Sequence, residues 1–150
     1  MRNATLVVIE FGGSWPRWLS PTGRGDMAVV AQHYEGEPGS LVTQVASRVS
    51  RLAARGWSIT DIVLVGNGRS DAAASAARAV LVRGLLANLG ASGGGRLVLT
   101  TTERSAARAQ QSLTILAATL DRDAIGSGVA VSVRLGDGTP IEGLSARACA

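Results

Sequence analysis

The chain opens with a continuous β-branched apolar run, Thr5-Leu-Val-Val-Ile9, the pattern of a strand buried on both faces. Met27 to Ala31, running on through Gln32, His33 and Tyr34, reads as a second strand, Asp61 to Val65 as a third and Arg96 to Thr100 as a fourth. Between them the period changes. Leu41, Val45, Val49 and Leu52 recur at helical spacing and predict a helix that starts at Glu37-Pro38-Gly39-Ser40 and ends at Gly56. A second helix is predicted over Asp71 to Leu89. Ser70 is its N-cap, Gly90 closes it, and Ala73, Ala77, Val80, Leu81, Leu85 and Leu89 form its buried side. A third, capped by Thr101 or Thr102, carries a stripe of Ala106, Ala109, Leu113, Leu116 and Leu120. Val129, Val131, Val133 and Leu135 then alternate with Ala130, Ser132 and Arg134, as in a half-exposed strand. Asp137-Gly138 is a hairpin-turn signal that returns Pro140 to Leu144 as a short edge strand, with a frayed tail after it.

From Met27 onward the predicted order is β-α-β-α-β-α-β. Strands joined by helical crossovers imply an α/β fold, a three-layer sandwich around a mostly parallel central sheet of five to six strands, in one domain spanning residues 1–150. The first two strands have no helix between them, because Phe11 to Gly25 holds two prolines and four glycines. Two arrangements stay open for this pair: an antiparallel first hairpin, or a crossover without a regular helix.

Composition narrows the class. Of 150 residues, 46% are hydrophobic and 17% charged, which excludes a disordered or collagen-like chain. The lone Cys149 excludes a disulfide scaffold and fits a reducing, cytoplasmic location. The apolar stretch from Ala72 to Leu89 is interrupted by Arg78 and Arg83, so no membrane span is expected. All fifteen basic residues are arginine, and the net charge is +4. They are spread along the whole chain, which disfavours nucleic acid as a partner. Arg48, Arg51 and Arg55 read as cations favoured by the C-terminal end of their helix.

Candidate chemistry sits in the loops. Parallel sheets bind ligands outside the carboxyl ends of their strands. Three loops converge there: Glu10-Phe-Gly-Gly-Ser14, Gly66-Asn-Gly-Arg-Ser70 and Thr100-Thr-Thr-Glu-Arg-Ser105. The last two open onto helix N-termini, whose N–H groups favour phosphate or carboxylate. The candidate ligand-binding residues are therefore Glu10, Gly12, Gly13, Ser14, Gly66, Asn67, Gly68, Arg69, Ser70, Thr101, Thr102 and Arg104, with Arg69 or Arg104 as the clamp. Gly66-Asn-Gly68 lacks the third glycine of a dinucleotide fingerprint, and no Gly-Lys-Ser/Thr marks an NTPase loop. With His33 the only histidine, no zinc site is expected, and no spacing selects a catalytic set. Trp15 and Trp18 admit two readings: a lid buried over the sheet, or a surface that docks a partner.

Two of these segments resemble the universal stress protein family. Val7-Val-Ile-Glu-Phe-Gly-Gly-Ser14 is similar to its first strand and Val-Asp-Gly-Ser-like turn. Asp61-Ile-Val-Leu-Val-Gly-Asn-Gly-Arg-Ser70 is similar to its Asp-Leu-Ile-Val-Met-Gly-x-x-Gly-Arg-Ser-like strand and loop. The longer glycine signature of ATP-binding members, Gly-x-x-Gly-x9-Gly-Ser/Thr, is not retained after Gly68, so the resemblance implies the fold class more than ATP binding. The leading expectation is a small cytosolic protein of this type, binding a nucleotide or other phosphate-bearing ligand at the three loops, with no cofactor assigned. The alternatives are a non-catalytic interaction or dimerisation module, working through Trp15 and Trp18 or an edge strand as a homodimer, and arginine-mediated nucleic-acid binding.

Overall fold

A computed structural model describes residues 2–19, 28–34, 38–69, 71–91, 93–101, 107–108 and 129–140. Its elements are β1 (Arg2–Glu10), β2 (Ala28–Tyr34), α1 (Pro38–Ala54), β3 (Trp57–Gly66), α2 (Ala72–Ala91), β4 (Gly95–Thr101) and β5 (Val129–Val133). The strands form one sheet in the order β2-β1-β3-β4-β5, and every pairing is parallel. The protein is an α/β fold with a parallel sheet. The antiparallel first hairpin does not form. Ala4 through Glu10 pair in parallel with Ala28 through Tyr34, so the segment between them is a crossover, and its described residues, 11–19, hold no regular helix. Of the third helix expected after Thr101 or Thr102, residues 107–108 are described and helical; the edge strand expected over Pro140 to Leu144 lies outside the described residues beyond Pro140.

Alternation sorts the sheet into two apolar faces. Ala4, Leu6, Val8, Ile62, Leu64, Leu97, Leu99, Val129, Val131 and Val133 share one face with Leu41 and Val45 of α1 and Leu81, Val82, Leu85, Leu86 and Leu89 of α2. Val7, Ile9, Val63, Val65 and Val98 share the other, covered by Trp15, Trp18 and Leu19. Right-handed crossovers explain the division. The connections β2 to β3 and β3 to β4 run in one direction across the sheet and fall on one side. The connection β1 to β2 runs the opposite way and falls on the other.

Several boundaries differ from the sequence pattern, three of them with a clear physical reason. β3 begins at Trp57, not Asp61. The register between β1 and β3 slips between Ala4 and Thr5, leaving Thr60 as an extra residue. Ile59 and Ile62, three apart and so out of phase in a regular strand, therefore face the same core. Asp71 rather than Ser70 caps α2: the Ala74 N–H donates to Asp71 Oδ1 at 2.9 Å. The same helix runs past Gly90 to Ala91 and closes when the Gly94 N–H donates to the Leu89 carbonyl at 2.8 Å.

The buried side of α2 also differs. Val80 is exposed, and Arg78 takes a buried place instead. By length and hydropathy α2 could cross a membrane. Its leucines pack on the sheet, as those of a core helix do. Gly84 lets α1 and α2 approach, since a Cβ there would press on the Val42 side chain.

Candidate functional site

The sheet order reverses between β1 and β3, and at such a switch point two loops leave a common rim in opposite directions. Because β1, β3 and β4 are parallel, Glu10, Gly66 and Thr101 end on that same rim, with Ile9 opposite Val65 and Gly66 opposite Thr101. The strand ends that open the three expected loops thus share one rim, while Ser70 and residues 102–105 lie outside the described residues.

After Glu10 the chain turns back at once. The Gly13 N–H donates to the Glu10 carbonyl at 2.8 Å, and Gly12 takes φ +89°, a conformation that glycine adopts without strain. This brings Gly12 beside the Cβ of Asn67. Asn67 fastens the two loops. Its Nδ2 donates to the Phe11 carbonyl at 2.9 Å, its N–H donates to Glu10 Oε1 at 3.2 Å, and its Oδ1 accepts the Arg69 N–H at 3.0 Å. Phe11 and Ser14 stand exposed at the edge.

Beneath the rim lies an ion pair that the sequence reading missed. Arg78, from the second turn of α2, reaches Glu10 with Nε at 2.9 Å from Oε1 and a terminal nitrogen at 2.7 Å from the same oxygen. Its other terminal nitrogen donates to the Arg69 carbonyl at 3.1 Å. The two side chains are 5% and 12% exposed, so this is a buried pair. Gly66 makes room for it, as a Cβ there would stand 3.0 Å from Glu10 Oε1. The missed signal was present in the pattern. Arg78 falls on the same helical stripe as Leu81, Leu85 and Leu89, and an acid ending an apolar strand needs a buried partner.

The clamp candidate Arg69 has a partner of its own. Arg69 pairs with Asp71 at 2.8 Å, both side chains well exposed. The Asp71 carboxyl is held below its ordinary pKa, chiefly by the Ala74 N–H and then by Arg69. Asp71 thus occupies part of the anion-favouring end of α2 with its own carboxylate. The Ala72 and Ala73 N–H groups, one and two residues into the helix, have no acceptor among the described residues.

Thr101 does not begin a helix. It closes β4, is buried, and its hydroxyl lies 3.4 Å from the Gly66 carbonyl as a donor. It braces the rim from inside and offers nothing to a ligand. Ser70, Thr102 and Arg104 lie outside the described residues. His33 lies on β2 in register with Ile9.

Trp15 and Trp18 pack on the Val7, Ile9, Val63, Val65 and Val98 face. Trp15 Nε1 donates to the Leu19 carbonyl at 2.6 Å, and the Arg134 guanidinium sits 5.1 Å from the Trp18 ring centroid. Of the two readings, the lid describes their contacts. The expected turn at Asp137-Gly138 is also present: the Gly138 N–H donates to Leu135, and Arg134 bridges Pro140 antiparallel. Trp18 fits beneath this turn, where a Cβ on Gly138 would meet it.

Among the described residues no group of three or more His, Cys, Asp or Glu side chains could hold a metal ion. Comparison with protein-family models, curated proteins and solved structures finds no match for this chain.

Proposed function

We propose that this chain is a small cytosolic α/β protein of universal-stress-protein type that binds a nucleotide or other phosphate-bearing ligand on the C-terminal rim of its sheet. The observation that carries the reading is the reversal of strand order between β1 and β3, which sets the Phe11-Gly12-Gly13 turn against Gly66-Asn67-Gly68. Phosphate would rest on the Ala72 and Ala73 amides with Arg69 as clamp, drawn from Asp71. That exchange is cheap, because an exposed pair contributes only ~0–1 kcal/mol. In this reading Glu10 and Arg78 hold the floor of the site, and Thr101 acts as a brace. The full three-layer sandwich and its five to six strands, in one domain, belong to the same proposal.

The test is thermal unfolding against a panel of nucleotides, inorganic phosphate and pyrophosphate. A ligand at 100 times its Kd should add ~2.7 kcal/mol of stability. No change in Tm across the panel overturns the reading. A second reading, a dimerisation module, keeps one observation in its favour: β2 and β5 are both edge strands of the sheet. Sedimentation across a concentration series decides it, a monomer throughout being the refuting result.

A further inference from the structure

The arginines are spread along the sequence, but folding gathers a group of them at the rim opposite the candidate ligand site. Arg48 and Arg51 stand three residues apart on one flank of α1, and Arg55 follows four residues on, directly after the helix ends. Val42 marks the flank that meets Gly84 of α2, and helical spacing places Arg48 and Arg51 on the other side of α1. With Leu52 the three arginines line a groove of about 170 Å³. Among the described residues no hydrogen bond or ion pair holds any of the three guanidinium groups. The row descends to the N-terminal rim, where the Arg2 N–H donates to the Gly56 carbonyl and the Arg2 guanidinium lies 5.4 Å from the Trp57 ring centroid. The carboxylate described at this rim, Asp61, is already paired with Arg96 at 3.4 Å.

Unpaired arginines crowded along a groove repel one another unless an anion is shared among them. Their planar forks fit phosphate oxygens. The rise of ~1.5 Å per residue spreads the three over ~10 Å, so they meet a chain of anions better than a single one. A lipid surface fits poorly, because the exposed large apolar side chains among the described residues, Phe11 and Val80, lie elsewhere. Trp57 is partly buried with Arg2 over its ring, so base stacking adds little. We propose that this groove binds the phosphate backbone of nucleic acid without reading its sequence. The proposal is independent of the nucleotide reading, since it concerns the opposite rim.

Fluorescence anisotropy of a labelled mixed-sequence single strand tests it, titrated with the full chain between about 50 and 200 mM salt. Three phosphate contacts predict a log–log salt slope of about −2 and an affinity loss of about 20-fold over that range. Each of Arg48→Gln, Arg51→Gln and Arg55→Gln should flatten the slope by about 0.7, and the triple change should abolish binding. Lysine at the same three positions should restore the slope, which separates lost charge from lost fold. Arg17→Gln, an exposed arginine in the loop after β1, should leave binding unchanged. The proposal is overturned if no binding appears at low salt, if binding survives the triple glutamine variant, or if the wild type captures polyglutamate or phosphatidylglycerol vesicles while ignoring the oligonucleotide.

Discussion

The Glu10–Arg78 pair gives the sharpest test of how this fold is held. Replacing Glu10 by Ala strips the carboxylate from a guanidinium that is 5% exposed. Arg78 then keeps only the Arg69 carbonyl, and the Asn67 N–H loses its acceptor. Removing one partner of a buried pair costs about 3–5 kcal/mol, because the remaining charge stays out of water without compensation. Neither side chain is exposed enough for solvent to relieve that cost. For a domain of this size each kcal/mol lowers Tm by about 2–4 °C, so the fall should be about 6–20 °C. Arg78→Met should cost less, since Glu10 retains the Asn67 N–H and lies nearer the surface. The combined Glu10→Ala/Arg78→Met variant should lose clearly less than the two single losses added together, as neither buried charge is then left without its partner. Urea unfolding of the single variants, the double variant and wild type measures the coupling directly. Single losses below about 1 kcal/mol, or a double loss equal to the sum of its parts, would refute the buried pair.

Gly84→Ala should destabilise even though alanine is favoured in helices by about 1 kcal/mol, because its Cβ would stand 3.1 Å from the Val42 Cβ. The net cost should be about 1–3 kcal/mol in urea unfolding, and Val42→Ala in the same chain should recover it. Asp71 and Asp137 both titrate below their ordinary value of 3.8, Asp137 through the Thr139 N–H. Their contribution is present above that value and is lost as pH falls through the lower, folded-state one. The Tm gap between wild type and Asp71→Asn should therefore shrink between pH 6 and pH 2.5, and a gap that widens on acidification contradicts the assignment. Arg69→Gln should leave urea stability within about 1 kcal/mol. It should also weaken any nucleotide that shifts Tm by about 10- to 100-fold, read by calorimetry.

The unbroken apolar run from Thr5 to Ile9 carried enough information for the sheet, because a strand buried on both faces has no need of polar positions. What it could not carry was direction. A parallel β1 and β2 require a long crossover, and Pro16 and Pro21 mark that crossover as non-helical without saying which side of the sheet it crosses. The start of β3 was hidden for a different reason. The extra residue at Thr60 breaks the two-residue period that would have joined Ile59 to Ile62. At the site, the glycine turns were legible because tight strand ends demand them. The competition for its donors was not. Asp71 precedes Ala74 by three residues, the spacing of a cap, yet Ser70 satisfies the same rule one position earlier. Only the fold decides between them.

Charge balance separates the two rims as binding surfaces. At the candidate nucleotide site two arginines, Arg69 and Arg78, stand against two carboxylates, Glu10 and Asp71, each arginine within an ion-pair contact. Among the described residues the charges there balance, so a phosphate would be held by short-range contacts, the Ala72 and Ala73 amides and Arg69, and salt should alter its affinity little. Along α1 the balance is one-sided. Among the described residues the guanidinium groups of Arg48, Arg51 and Arg55 have no partner, so they would draw an anion from a distance, and the attraction would fade steeply as salt rises. The same phosphate chemistry would thus be held in two physically distinct ways, and ionic strength tells them apart. A mononucleotide whose affinity fell about tenfold between 50 and 200 mM salt would belong on the α1 groove, whatever the glycine turns suggest.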